Sequence, residues 1–316
     1  MSIRKQDIQR SIRGIDPRWS LQDVQALGGR ASAINVVTSG QPPARLILLT
    51  HSQRDRKRNP RIARDEYQLL KVLKQAGLPV PEALYRSEAH QPPFLITAFV
   101  EGRARFDASQ RAAFSRRLAE ALNSIHTLDL SEYELSFLPH IDDAINRDRA
   151  PHTSERLMIH EALQAALPRV EFNAPALLHG DFWPGNLLWN GDDLAAIIDW
   201  EDAMLGDPLA DLGKSRLEVL WALGPEAIKD YTAAYLALSQ QLNATALPFW
   251  DLWGAFRLSR FPSFAPAPGL IPKMRAQYEA FVADAIGRLA ALWESANCLT
   301  EGIRLLQVGI VPGRRD

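Results

Sequence analysis

The sequence predicts an α+β fold in two lobes: a small, β-rich lobe over residues 1–100 and a mostly helical lobe over residues 101–316. Three observations lead to this prediction. The 316 residues, 47% of them hydrophobic, form a chain larger than one compact core usually holds. Short apolar and β-branched runs dominate the first hundred residues. Apolar residues at helical spacing fill most of the remainder.

The strand and helix patterns of the first lobe follow one another in a clear order. A small-residue turn at 27–33 leads into a β-branched strand, and residues 44–50 have the composition of the next strand. A helix is predicted from Asn59 and Pro60, because Asn is a favoured N-cap and Pro a favoured first residue. Its apolar stripe ends at Gly77. Residues 94–100 are typical of a buried strand.

The second lobe combines amphipathic helices with a single hairpin. A long amphipathic helix follows residue 110, with Phe114, Leu118, Leu122 and Ile125 on one face. Further helices fit 154–167, 207–223, 225–239, 249–260 and 272–292. Between them, apolar runs at 186–189 and 194–199 flank Asn190-Gly191, a dipeptide that favours a tight turn. The hairpin therefore places Asn186 at the start of one strand and Asp199 at the end of the other.

Composition argues against several classes of protein. The single cysteine, Cys298, leaves no intramolecular disulfide framework and no Cys-rich zinc site. No signal peptide is visible, and no apolar run approaches the roughly 20 residues of a membrane span, so we expect a soluble, cytoplasmic protein without a membrane partner. Residues 54–61 form a basic cluster without interleaved aromatic residues, and the pI of the chain is near 6.7. The chain is therefore not expected to bind nucleic acid.

The net charge of −1 conceals a strong asymmetry along the chain. Residues 1–128 contain 21 Lys and Arg against 11 Asp and Glu, whereas residues 129–213 contain 4 against 17. A basic segment suits anionic phosphates, and an acidic one suits a metal ion or a cationic substrate. The alternative is that these charges are solvated and carry no function.

The most informative motif is the run from His179 to Asn186, followed by Ile198-Asp199-Trp200-Glu201. It places Asp181 and Asn186 five positions apart and adds a second carboxylate, Asp199, thirteen positions later. Phosphoryl transfer needs such a set, in which one carboxylate orients the attacking hydroxyl and the other two groups bind Mg²⁺. A hairpin whose Asp and Asn only cap turns would not explain the combined spacing.

Together with Gly206-Asp207-Pro208, these motifs resemble the aminoglycoside phosphotransferase and choline kinase family, over about residues 24 to 290. The resemblance implies a protein-kinase-like fold and transfer of a phosphoryl group from ATP or GTP to a small-molecule hydroxyl. It implies that Asp181 and Asn186 are catalytic and that Asn186 and Asp199 bind Mg²⁺. Acceptors in the family include aminoglycosides, choline and sugars, and the acidic segment tilts the prediction towards a cationic acceptor.

The resemblance also assigns the nucleotide-binding residues. Gly28, Gly29 and Ser32 belong to the loop that covers the phosphates, where small residues let backbone amides approach. The backbone of Ala98 and Val100 is expected to recognise the base. These contacts go through main-chain groups, so they leave the choice between ATP and GTP open.

The helix carboxylate of the family corresponds to Glu66, which would pair with a strand cation. That cation is missing, since the corresponding position is Leu49. Arg45 could replace it, or a residue of the basic loop predicted after this strand, which contains Arg54, Arg56, Lys57, Arg58 and Arg61. Alternatively, Glu66 could merely favour the first turn of its helix.

Leu49 motivates a different hypothesis, a nucleotide-binding pseudokinase or scaffold with weakened catalysis. A third possibility, a hydrolase using the same carboxylates and metal, is disfavoured because no Gly-x-Ser-x-Gly motif occurs. In supporting roles, His179 is expected to hold its loop by hydrogen bonds. Asp211, by resemblance, is expected to bond to the backbone of the same loop.

Overall fold

The computed structural model describes residues 3–27, 32–40, 42–88, 90, 92–106, 110–147 and 153–294. Within them the predicted α+β fold is confirmed. The helices are α1 Lys5–Ile15, α2 Gln53–Arg58, α3 Ile62–Gln75, α4 Arg111–His126, α5 Ile141–Arg147, α6 Ser154–Ala166, α7 Leu209–Leu223, α8 Pro225–Leu238, α9 Leu247–Leu258 and α10 Ile271–Glu294. The strands are β1 Ser20–Ala26, β2 Ser32–Ser39, β3 Arg45–Thr50, β4 Ala83–Ser87, β5 Phe94–Ala98, β6 Ala176–Leu178, β7 Leu187–Asn190, β8 Asp193–Ile197 and β9 Met204–Gly206.

The first five strands form one antiparallel sheet in the order β1-β2-β3-β5-β4. Leu49 of the central strand β3 lies opposite Ala33 of β2 and Leu95 of β5. Helix α1 packs against this sheet, because its apolar residues fall on one face. The resulting core consists of Ile8, Ile12, Val36, Leu46, Leu48, Phe94 and Ile96.

After β3 the structure differs from the sequence prediction, which was a basic loop followed by a helix that starts at Asn59. Ser52 caps the short helix α2, its side chain accepting a hydrogen bond from the backbone N–H of Asp55 at 3.2 Å. Asn59 then ends α2, and its side-chain oxygen accepts from the N–H of Arg61 at 2.9 Å. Helix α3 begins only at Ile62, because Asn59 caps the turn between the two helices instead of the helix itself.

Two compact units make up the chain. The first contains Met1–Arg105, Asp129–Leu138 and Gly185–Asp202, and the second contains the three remaining segments, Phe106–Leu128, Pro139–Pro184 and Ala203–Asp316. The first unit thus includes the hairpin of β7 and β8 as well as the sheet. The lobe boundary at residue 100 stays a prediction.

Backbone hydrogen bonds hold the late hairpin within the first unit. The N–H of Trp189 donates to the carbonyl of Arg103 at 3.0 Å, and the N–H of Arg103 donates back to Trp189 at 3.1 Å. The N–H of Ile197 donates to the carbonyl of Pro79 at 2.7 Å. Gly191, with φ of 59°, supplies the left-handed conformation that the hairpin turn requires.

The second unit is mostly helical, with α7 packed between α8 and α9, and α4 packed on α8. Its short sheet pairs β6 with β9 in antiparallel fashion. Two glycines permit a close crossing of α7 and α9. A Cβ at Gly213 would lie 2.5 Å from the backbone of Trp250, and one at Gly254 would lie 2.6 Å from the Cα of Lys214.

No helix among the described residues combines the length and hydrophobicity needed to cross a bilayer.

The Gly254→Ala variant is expected to lower the free energy of unfolding by roughly 1–3 kcal/mol, because the added methyl group meets backbone that cannot move aside easily. Thermal or denaturant unfolding would measure this loss. Gly287→Ala in α10 is the matched control, since no atom lies within 4 Å of its added Cβ. Alanine there should stabilise the helix by up to about 1 kcal/mol. Equal stability of the two variants would contradict the close crossing.

Candidate active site

In the first unit, the hairpin holds Asn186 and Asp199 at adjacent ends of its two strands. The ladder ends with Leu187 opposite Ile197, so Asn186 precedes β7 and Asp199 follows β8 by two residues. Each therefore lies just outside the strand that was predicted to contain it. The N–H of Ile198 still donates to the carbonyl of Asn186 at 2.9 Å, which fastens the two chain segments together.

Asp199 has an unusual backbone conformation. Its φ is 70°, and among the described residues it alone combines a positive φ with a side chain. This conformation costs on the order of 1 kcal/mol even for Asp, which tolerates it better than most residues. The next residue, Trp200, is buried, and its indole N–H donates to the carbonyl of Ile197 at 3.0 Å. The carboxylate of Asp199 is thus presented from a fixed turn.

Further charged residues follow Asp199. Asp202 forms an ion pair with Arg58 of α2 at 2.5 Å, and the same guanidinium donates to the carbonyl of Glu201 at 3.3 Å. Burial and repulsion from Asp199 and Asp202 raise the pKa of Glu201 to about 8. Three carboxyl groups are thus crowded in this segment, and a bound cation would stabilise their ionised forms.

The helix carboxylate Glu66 has a buried histidine partner that sequence reasoning did not assign. His51, the first residue after β3, lies with its Nε2 atom 2.6 Å from Oε2 of Glu66, and both side chains are buried. Burial alone would lower the pKa of His51, but the hydrogen bond and charge of Glu66 raise it overall. Arg45 is engaged elsewhere, pairing with Glu101 at 2.7 Å.

The other predicted nucleotide-binding residues lie along the same sheet. Ser32 is the first residue of β2, while Gly28 and Gly29, between β1 and β2, lie outside the described residues. The N–H of Ala98 donates to the carbonyl of Glu82 at 2.9 Å, so a contact of Ala98 with a base would use its carbonyl. Val100 follows the end of β5. The assignment of these residues to a nucleotide stays a prediction.

In the second unit, Asp211 fixes the loop that carries Asp181. The carboxylate of Asp211 accepts from the N–H of His179 at 2.6 Å and from that of Gly180 at 2.9 Å. Gly180 adopts a φ of 77°, which glycine allows without strain. The ring Nδ1 of the buried His179 accepts from the N–H of Asp181 at 3.3 Å. His179 and Asp211 therefore hold this loop as the sequence predicted.

A second histidine also contacts the carboxylate of Asp211. His126, at the end of α4, lies with Nε2 at 3.4 Å from Asp211 and with Nδ1 at 2.6 Å from the hydroxyl of Tyr235. Burial would raise the pKa of Asp211, but hydrogen bonds from His126 and Gly180 keep it lowered. Asp211 is thus held as a carboxylate, in the form that can accept from the loop amides.

Asp181 itself is partly exposed and bound to a buried lysine. Lys214 of α7 donates from Nζ to Oδ1 of Asp181 at 2.6 Å and to Oε2 of Glu218 at 2.9 Å. Burial alone would lower the pKa of Lys214, yet the two carboxylates raise it. Burial raises the pKa of Glu218 to about 7, against the opposing effect of Lys214. The ammonium form of Lys214 is therefore favoured beside Asp181.

Sequence reasoning missed both His51 and Lys214. A signal existed for each of them. His51 is the first polar residue after Thr50, at the end of a strand whose expected cation is absent. Lys214 and Glu218 form an i, i+4 pair of charges within a helix that is otherwise largely buried.

The first unit combines a five-stranded sheet with a hairpin that ends in a carboxylate and a carboxamide. The second, helical unit contains a loop with a further carboxylate. This combination is typical of phosphotransferases with a protein-kinase-like fold. Comparison with known proteins agrees with this class. The model of the phosphotransferase enzyme family (APH) matches residues 23–253, and the chain belongs to this family.

Solved structures share the fold at low sequence identity. An aminoglycoside-3'-phosphotransferase of type VIII superposes with a TM-score of 0.60 and 20% identity, covering 80% of this chain and 100% of that protein. A thermostable mutant of aminoglycoside phosphotransferase APH(4)-Ia, in complex with AMP-PNP and hygromycin B, superposes with a TM-score of 0.61 and 18% identity. This superposition covers 92% of this chain and 98% of that protein.

Among curated proteins, acyl-CoA dehydrogenase family member 10 of Mus musculus is 32% identical, matching 48% of this chain but 16% of its own length. The chain spans a quarter or less of the curated relatives it matches. The dehydrogenase activity in their name is therefore not carried over to this chain.

Proposed function

We propose that this protein transfers the γ-phosphoryl group of ATP or GTP to a hydroxyl group of a small molecule. The observation that carries the proposal is the anchoring of the loop at 179–181 by Asp211, which accepts two backbone N–H groups of that loop. A buried carboxylate that organises this loop has little purpose unless the position of Asp181 matters.

In this proposal Asp181 orients the acceptor hydroxyl and accepts its proton as the new bond to phosphorus forms. Lys214 keeps the carboxylate of Asp181 in one place, since its ammonium group donates to Oδ1 at 2.6 Å. Positioning is the main contribution that a protein makes to phosphoryl transfer, because the transition state is loose.

The donor set at the hairpin suits Mg²⁺. Asn186 and Asp199 supply hard oxygen atoms, and no group of three or more His, Cys, Asp or Glu residues in the described chain is arranged to hold a metal. Two protein ligands suffice where phosphate oxygens and water complete the shell. Bound there, Mg²⁺ would neutralise charge on the phosphates. Asp199 is presented by its positive φ, and Asn186 by the backbone bond to Ile198.

The alternative function, a pseudokinase or scaffold, rested on Leu49. The hydrogen bond between His51 and Glu66 gives the helix carboxylate a basic partner, with a raised pKa, within two residues of that position. This pair favours a working nucleotide site over a degenerate one. For the acceptor, the acidic balance of residues 129–213 supports a cationic small molecule such as an aminoglycoside or choline.

Thermal unfolding with ATP or GTP tests the nucleotide half of the proposal. At 100 times the dissociation constant, a bound nucleotide adds about 2.7 kcal/mol of stability, or about 5 °C in Tm for a chain of this size. We expect this rise to require Mg²⁺ and to be largely lost in Asp199→Asn. Asn is chosen because it also tolerates the positive φ of this position.

Asp193→Asn is the matched control, since Asp193 is an exposed carboxylate at the opposite end of the same hairpin. It should leave the nucleotide shift unchanged. A full Mg²⁺-dependent shift in Asp199→Asn would remove Asp199 from the metal site. Nucleotide binding followed by a screen of hydroxyl acceptors that yields no phosphorylated product would favour the scaffold.

A further inference from the structure

The buried pair of His51 and Glu66 has one unused hydrogen-bonding atom. Nε2 of His51 is 2.6 Å from the carboxylate of Glu66, whereas its Nδ1 atom is buried and has no hydrogen-bond partner in the structure. A buried polar atom without a partner costs roughly 1–3 kcal/mol, and native proteins seldom leave one without a reason. An acceptor oxygen of a bound ligand would satisfy it.

The surroundings of His51 favour its protonated form. The carboxylates of Glu66 on α3, Asp55 on α2 and Glu201 after β8 all act to raise its pKa. A positive group also contacts its backbone: Nε of Arg56 donates to the carbonyl of His51 at 3.2 Å. An imidazolium has two N–H donors, so Nδ1 then carries a proton that needs an acceptor.

We propose that His51 is the nucleotide-phosphate ligand of the first unit, with Nε2–H donated to Glu66 and Nδ1–H donated to a phosphate oxygen. This inference rests on the proposed function and identifies which group replaces the strand cation absent at Leu49. A phosphate is the fitting acceptor, because it is anionic and accepts charge-assisted hydrogen bonds strongly. The imidazolium is thus bridged between two anions.

A histidine in this role makes nucleotide affinity depend on pH. A lysine would stay charged throughout the physiological range, whereas an imidazolium loses its proton as the pH rises through its own pKa. That pKa is raised by Glu66, so affinity should be highest in mildly acidic solution and fall in the alkaline direction. Once neutral, the ring can keep Nε2–H for Glu66 but has no donor left for the phosphate.

The experiment measures the dissociation constants of AMP-PNP and GMP-PNP with Mg²⁺ by calorimetry between pH 6 and 9. For whichever nucleotide binds, we expect the native protein to lose about 10- to 100-fold in affinity across this range, the value of one charge-assisted hydrogen bond. His51→Gln should bind about as weakly at pH 6 as the native protein does at pH 9. His51→Lys should bind tightly with a much flatter pH profile.

Two comparisons separate His51 from other titrating groups. Glu201 and the phosphates also titrate in this range, but they are retained in His51→Lys, so their contribution is read directly from that variant. His90→Gln is the matched control, because His90 also pairs with a carboxylate of the first unit, Asp7, at 3.3 Å. It should leave both the affinity and its pH profile as in the native protein.

Proton NMR provides a readout that does not depend on any variant folding. The ring signal of His51 should titrate at higher pH when the nucleotide is bound, because the phosphate stabilises the imidazolium. An unchanged titration, or equal pH profiles for the native protein and His51→Gln, would overturn the inference while leaving the proposed function standing. If no nucleotide bound to any of these proteins at any pH, the proposed function itself would fail, and this inference with it.

Discussion

The Asp181→Asn variant is expected to lower kcat by about 10²- to 10⁴-fold with little change in nucleotide affinity. The amide can still accept the hydrogen bond from Lys214, so the loop should keep its conformation. What it loses is the ability to take the proton of the acceptor hydroxyl. Turnover of ATP or GTP, with an identified acceptor or with water in its place, would measure the loss.

Asp284→Asn is the matched control, because Asp284 is an exposed carboxylate of the second unit that pairs with Arg288 on the same helix. It should have native kcat. If folded Asp181→Asn protein turned over within threefold of the native rate, Asp181 would have no part in the chemical step, and the main assignment of the site would be lost.

The second large effect is expected for Lys214→Met, which removes the buried cation between Asp181 and Glu218. Breaking a buried ion pair from one side costs on the order of 3 kcal/mol, because the remaining charges lose their counterion. Asp181 also loses the donor that fixes its carboxylate. We expect kcat to fall by at least about tenfold while KM for the nucleotide changes little.

Lys229→Met is the control for Lys214→Met, since Lys229 is an exposed lysine on α8 that pairs with the exposed Glu226. Such a pair contributes little to stability, so both Tm and kcat should stay native. Lys214→Arg keeps the charge and should recover part of the lost kcat. A Lys214→Met protein that is less stable but fully active would make Lys214 purely structural.

The hairpin was predictable from sequence because its information is local. Asn190-Gly191 determines the turn, and the apolar runs on either side determine the strands, so Asn186 and Asp199 were assigned to the correct ends. The offset of one or two residues arises because the ladder stops at Leu187 and Ile197. The backbone conformation of Asp199 left no sign in its residue type.

The partners of the candidate site residues were harder to predict, because they depend on packing between distant elements. His51 meets Glu66 only once α3 lies against the sheet, fifteen residues along the chain. Lys214 reaches Asp181 from a helix that crosses α9 closely, which the small residues Gly213 and Gly254 permit. No pattern within one segment encodes either contact.

The interleaved course of the chain limits how this protein can be divided. A fragment ending near residue 100 would omit the strand pair that hydrogen-bonds to Pro79, and would leave that carbonyl without its donor. Dissection into autonomous halves at this point is thus unsuitable. The same course joins the two units covalently between Pro184 and Gly185, inside the segment from Asp181 to Asn186. An insertion at that link would lengthen the chain between Asp181 and Asn186 without interrupting an α-helix or a strand of either unit.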